Sequence, residues 1–325
     1  MNCSAKLLVK FFSGGRSNQS LSFTLTHKFL SVQFIVRCFY ALVAFYSLQS
    51  LSFWPDYLNK IDLVPLWPVY WLNYVDISSG ITLIFWFYII GGFLALTATR
   101  WRTARILIFL ALLEFMAFDN SFGKINHGGH LQLLLSFILI FLPPGWFLEK
   151  PEKAIRAATL IVFSGCQSMI MLTYTMSGFF KIIQIPIQAI RNQVHTLMPE
   201  ALPLQIANRL VQTDATSYLG TWLIEHYFIA WPLMIGTIYL QFFSLWASFR
   251  PSLHRLWGLG LICFHIASQL TMSISFWSNC LWLTLFFVNS PFAPKRFVWR
   301  QIVRDLPLFG FVFMKKGKFF ANATQ

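Results

Sequence analysis

Charge is scarce in this 325-residue chain, and acidic charge scarcest: Asp and Glu together number 11, and charged residues of both signs make up 11%. Soluble domains carry about 25% charged residues. With 57% hydrophobic residues and a mean hydropathy of +0.60, the composition excludes an ordinary soluble globule. Cysteine is also sparse. The five, Cys3, Cys38, Cys166, Cys263 and Cys280, show no CxxC or other paired spacing, and four lie inside apolar runs. They read as small packing residues, which excludes a disulfide framework and a cysteine-based metal centre. The sequence lacks a Gly-rich phosphate loop, a nucleophile elbow and an HExxH motif, so three common routes to chemistry are closed. It also lacks an internal repeat, a low-complexity tract and a separate soluble domain.

What is present is apolar sequence in long runs, and the expected fold class is all-α, a polytopic transmembrane helical bundle of about eight spans. The candidates are 30–53, 78–98, 104–118, 130–148, 157–180, 227–249, 256–275 and 277–292. A span needs roughly 17–25 apolar residues, so the third is short. The last two share one uncharged stretch between Arg255 and Lys295, which suits two tight helices turning near Ser275–Asn279 or one span plus a re-entrant segment. Phe (36) and Trp (13) fit lipid-facing and interfacial positions.

The cations sort by side. With the N-terminus in the cytoplasm, 19 of the 25 Lys and Arg fall on cytoplasmic segments: the tail before residue 29, Arg100, Arg102 and Arg105, Lys150, Lys153 and Arg156, Arg250 and Arg255, and seven after residue 294. Both termini are then cytoplasmic. The net charge of +14 reflects topology and attraction to anionic headgroups, and a nucleic-acid partner is not expected. The organisation expected is a basic tail over 1–28, a membrane domain over 29–295 with outer segments 54–77, 119–130 and 182–226, and a basic tail over 296–325. Segment 54–77 is rich in Trp, Tyr and Pro, as an interfacial cap would be. Within 182–226, Pro203–Thr213 is amphipathic and suits a helix lying on the outer surface. The absence of a cleavable signal and the small size favour a bacterial inner membrane.

Polar residues at membrane depth are costly and tend to have partners or a function. Arg37 lies about two turns into the first span. Glu114 lies near the outer end of the third, and Lys181 closes the fifth. Asn126, His127 and His130 fall between two apolar runs, the histidines three apart. His265 and Gln269 lie in a late span. Glu114, His127, His130 and Lys181 would gather near the outer leaflet around an outward-facing polar cavity. The plainer readings are that Lys181 is a snorkelling anchor, that the histidines cap the following helix or sit at the membrane interface, that Glu114 pairs with Arg37 or Lys181, and that His265 is a hydrogen-bonded packing residue. Two histidines with no third ligand at a useful spacing give no metal site.

Four stretches, in order, resemble the HTTM family, the membrane domain shared by vitamin K-dependent gamma-carboxylase and many bacterial proteins. They are Phe34-Ile35-Val36-Arg37, Asn126-His127-Gly128-Gly129-His130-Leu131, Gly178-Phe179-Phe180-Lys181, and Phe264-His265-Ile266-Ala267-Ser268-Gln269-Leu270 with Ser273-Ile274 and Ser290-Pro291-Phe292. The resemblance implies that Lys181 would be a base deprotonating a reduced quinone, the implied cofactor, and that His127 would stabilise the resulting anion. A lysine does this only where burial or neighbouring charge makes its neutral form accessible. The chain departs from the carboxylase in three ways: it lacks the large outer domain, Gln241 stands at an acidic position, and Gly-Gly-His replaces bulkier residues.

Two functions head the expectations. One is a non-catalytic membrane protein, such as a toxin-immunity partner, whose polar cavity and 182–226 cap bind a peptide or lipid-like ligand. The other is a carboxylase-like enzyme using Lys181 and His127 on a quinone-like or lipid substrate. A transporter is a third reading, against which stand the missing repeat and the few charges within spans.

Overall fold

A computed structural model of the chain describes residues 18–59, 63–123, 127–308 and 310. It is 77% helix, with no strand among the described residues. Two compact units divide at Cys166, within a long helix.

The first unit holds α1 (Asn18–Ser50), the short α2 (Trp54–Leu58), α3 (Ile77–Thr97), α4 (Arg102–Asp119), α5 (His130–Leu139) and the start of α6 (Lys153–Ile190). Helix α3 is apolar all round. One face, including Ile81, Ile84, Phe85 and Tyr88, is buried, while Leu83, Trp86, Ile90, Phe93 and Leu96 on the other are each more than half exposed. A helix apolar on every side but buried on only one has lipid as the natural neighbour of its exposed face. Its centre carries Gly91 and Gly92. A Cβ on Gly91 would lie 2.8 Å from that of Ala111 on α4, and one on Gly92 would collide with Ser47 on α1. Small residues thus let three apolar helices approach closely where lipid supplies no hydrophobic drive between them.

The described residues of the 54–77 segment, 54–59 and 63–77, pack onto this bundle as aromatic structure. Trp54 stacks on Phe85 at 5.6 Å, and Tyr57 donates to the Asp119 carboxylate. Trp67, Tyr70 and Tyr74 remain exposed.

The fourth expected span, 130–148, is corrected. Helix α5 has ten residues, about 15 Å at 1.5 Å per residue, half the roughly 30 Å of a bilayer core. It is followed by Pro143-Pro144-Gly145; proline has no N–H to continue the ladder and disfavours helix in the residue before it. The carbonyls left over are taken by side chains. Arg105 donates to Leu142 O (2.6 Å) and Ile140 O (3.3 Å), Gln33 to Trp146 O and Leu148 O (both 3.1 Å), and Arg37 to Phe147 O (3.2 Å).

The second unit holds the rest of α6, then α7 (Ala201–Thr213), α8 (Tyr218–Glu225), α9 (Tyr227–Phe242), α10 (Ser244–Ser248), α11 (His254–Met272), α12 (Trp277–Leu283), which continues through a π turn at Thr284–Val288, and α13 (Trp299–Asp305). The fifth expected span, 157–180, is also corrected: α6 continues through Pro186 to Ile190, so Lys181 lies inside the helix rather than at its end. The amphipathic stretch is helical, as α7, and buries Ala201, Pro203 and Ile206 against α8 and α9. Helices α8 and α9 meet at a bend of 105° at His226, whose ring stacks on Trp222 at 4.5 Å. The stretch after Arg255 forms two helices turning at residues 273–276.

Among the described residues three helices are long and apolar enough to cross a membrane: Leu25–Leu58, Ile77–Thr97 and Lys153–Ile190. The bent α8–α9 pair would make a fourth if it counts as one span.

Candidate ligand cavity and the polar residues around it

In the second unit Gly178 determines where Lys181 sits. A Cβ at 178 would lie 2.5 Å from Phe242 N on α9, so only glycine permits this approach of α6 to the α9 backbone. One turn further along α6, Lys181 Nζ donates to Gln241 Oε1 of α9 at 2.8 Å and to Ser177 Oγ at 3.1 Å. Thr196, on the segment returning from α6, donates to the Lys181 carbonyl at 3.0 Å.

Beside this contact lies a cavity of about 490 Å³, within the size range of small-molecule pockets. Leu233, Leu240 and Phe264 are among its apolar walls, Gln205, Thr237 and Ser268 add hydroxyl and amide groups, and Lys181 is its one cationic lining residue. An ammonium has three protons to donate. Two are placed on Gln241 and Ser177, and no carboxylate lies within ion-pair distance of Lys181 among the described residues. The arrangement offers one remaining N–H and an unneutralised charge to whatever occupies the apolar space.

His265 and Gln269 are not among the residues lining the cavity. His265 is buried, with Nε2 and the Tyr174 hydroxyl 2.7 Å apart. Its Nδ1 and the Gln269 Oε1 are buried without a partner among the described residues.

A second buried network went unnoticed in the sequence because its members are far apart along the chain. His254 Nε2 lies 3.0 Å from Ser248 O, an acceptor only, so that nitrogen carries the proton. In the neutral ring Nδ1 then accepts from Ser290 Oγ (2.8 Å). Gln167 Nε2 donates to Ser290 Oγ (3.0 Å) and to the Phe286 carbonyl (2.6 Å) in the π turn. These contacts fix the packing of α11 against the π turn.

The first unit holds the other expected residues. Glu114 accepts from Trp71 Nε1 at 3.3 Å; its expected partner Arg37 is instead on the Phe147 carbonyl. His127 and His130 approach through their Nδ1 atoms at 3.2 Å, so one donates and the other accepts. No side chain caps α5, so the capping role expected of the histidines is not fulfilled. Asn126 lies outside the described residues. No group of three or more His, Cys, Asp or Glu able to hold a metal occurs among the described residues. Glu114, His127 and His130 thus belong to one unit and Lys181 to the other, and the cavity is built without the histidines. No known family model, curated protein or solved structure matches the chain.

Proposed function

We propose that this chain is an integral membrane protein that binds a lipophilic ligand bearing an acidic or strongly accepting head, with the head on Lys181 and the tail in the apolar cavity of the second unit. One observation carries the proposal: an ammonium with an uncommitted proton and, among the described residues, no counter-carboxylate lines a mainly apolar cavity. A half-buried charge left uncompensated is costly, and an anionic head supplies the missing partner. A peptide is the less suitable occupant, because the lining offers few groups for a peptide backbone. The exposed apolar faces of α1, α3 and α9 support a membrane setting, and the distribution of cations supports both termini on the cytoplasmic side with as many as eight crossings.

The test uses purified full-length protein in neutral detergent, with the fluorescent fatty acid cis-parinaric acid and its methyl ester as probes. A charge-assisted hydrogen bond contributes about 1.5–3 kcal/mol, so the acid should bind ~10-fold or more tighter than the ester. Lys181→Met should abolish that preference while retaining tail binding. Equal binding of acid and ester by the unsubstituted protein would sink the proposal.

A catalytic reading draws on one further contact. Lys181 touches Gln241, which stands where the HTTM family has an acidic residue. Under that reading Lys181 is a base toward a reduced quinone. Incubation with a reduced quinone and dioxygen, the oxidant, would then give the quinone epoxide and water, a product that Lys181→Ala loses while the protein still inserts.

A further inference from the structure

The first unit contains a second cavity, of about 470 Å³, between the start of α4 and the turn that ends α5. We propose that it is a binding site for the phosphate headgroup of an anionic phospholipid. It is lined by Arg100 to Thr103, Arg105 and residues 140–144.

Four observations lead to an anion. Arg105 is only 2% exposed and directs its terminal nitrogens to the carbonyls of Thr99, Arg100, Ile140 and Leu142, yet its Nε is buried without an acceptor among the described residues. Arg100 and Arg102 stand at the rim, their guanidinium carbons 4.3 Å from the Trp101 ring centre and 5.7 Å from that of Phe141; stacking of this kind orders a long side chain before a ligand arrives. The 18-residue α4 starts with no side-chain cap, so its first N–H groups and the positive end of its dipole are open to an anion. No carboxylate lies within ion-pair distance of the three arginines among the described residues. Three guanidinium groups within six residues therefore lack a counter-charge from the protein.

The surroundings lead to a lipid. Trp101 and Phe141 are more than half exposed, and the next turns of α4 present Ile106, Leu107 and Leu110 outward. The cationic groove thus adjoins an exposed apolar face, with aromatic rings at the junction. An occupant with a phosphate next to acyl chains matches both. The site is separate from the Lys181 cavity and does not depend on what that cavity binds.

The experiment is a lipid titration of full-length protein in neutral maltoside detergent, read by native mass spectrometry, with dioleoylphosphatidylglycerol and dioleoylphosphatidylcholine as probes. Preference for phosphatidylglycerol should be ~10-fold or more, as expected where charge-assisted contacts to a headgroup are made. The double variant Arg100→Gln/Arg102→Gln should lose it, and the equally discharged Arg296→Gln/Arg300→Gln should retain it. Equal loss in both would show that only bulk charge matters and would overturn the proposal, as would retention in the first. Millimolar inorganic phosphate is the free-anion arm, and complete displacement of the lipid by it would assign the groove to a soluble anion instead. A photoactivatable phosphatidylglycerol, applied to the unsubstituted protein, tests the site should the first double variant misfold. Adducts are expected within residues 100–110 and 137–144, and adducts confined elsewhere would overturn the proposal.

Discussion

Arg37 and Arg105 show how differently two arginines in apolar helices can be used. Arg37 is exposed and makes one bond to a backbone carbonyl, whereas Arg105 is buried and satisfies four. Removing a buried donor leaves its acceptors desolvated and unpaired, at about 1–3 kcal/mol each. Arg105→Gln should therefore destabilise the protein by roughly 2–4 kcal/mol, and Arg37→Gln by about 1 kcal/mol or less. Thermal unfolding of both in the same detergent checks this, and similar losses would show that the four contacts are not what holds α4 to the end of α5. Only part of this was legible. An arginine at membrane depth signals a partner, and Arg37 has one, but nothing in the sequence marks Arg105 as more buried than Arg100 or Arg102. That follows from where the Pro143-Pro144 turn falls in space.

At the scale of helices, glycine positions set the closest approaches. The run from Gly178 to Lys181 stands out in the sequence, and its geometry supplies a reason: the glycine brings α6 against the α9 backbone and the lysine one turn on meets Gln241. Gly178→Ala inserts a methyl group against backbone atoms that cannot rotate away, so the helices must separate. The expected loss of stability is about 1–3 kcal/mol, typical of overpacking, together with a weaker acid-over-ester preference because Lys181 moves from Gln241. Unchanged stability and an unchanged probe preference would mean that the two helices slide freely at this point. Helix ends were the least legible feature. Hydropathy ran the fourth apolar stretch on to residue 148, where two prolines end the helix at Leu139, and it stopped the fifth at 180, where the chain continues helically through Pro186.

At the scale of the molecule, apolar surface facing outward on α1, α3 and α9 requires a non-aqueous neighbour. The protein should resist extraction by alkaline carbonate and leave the membrane only with detergent. Reporter fusions active only in the cytoplasm should be active at both ends of the chain, and activity at one end alone would imply an odd number of crossings and overturn the cation-based topology. Among the described residues three helices are long and apolar enough to cross.

Composition and the long apolar runs were enough to establish an all-helical chain with membrane-compatible helices, because burying backbone in lipid leaves few alternatives to the helix and the excess of apolar residues is a one-dimensional property. They also singled out Lys181, since a charged group amid apolar sequence is conspicuous wherever it folds. What the tertiary structure decided is partnership: Lys181 with Gln241, His254 with Ser290 and Gln167, Arg105 with the carbonyls beyond α5, and the separation of Lys181 from His127 and His130 into different units. Those outcomes depend on which helix faces meet and where each helix stops, and hydrogen bonds between residues tens of positions apart leave no local pattern from which to read them.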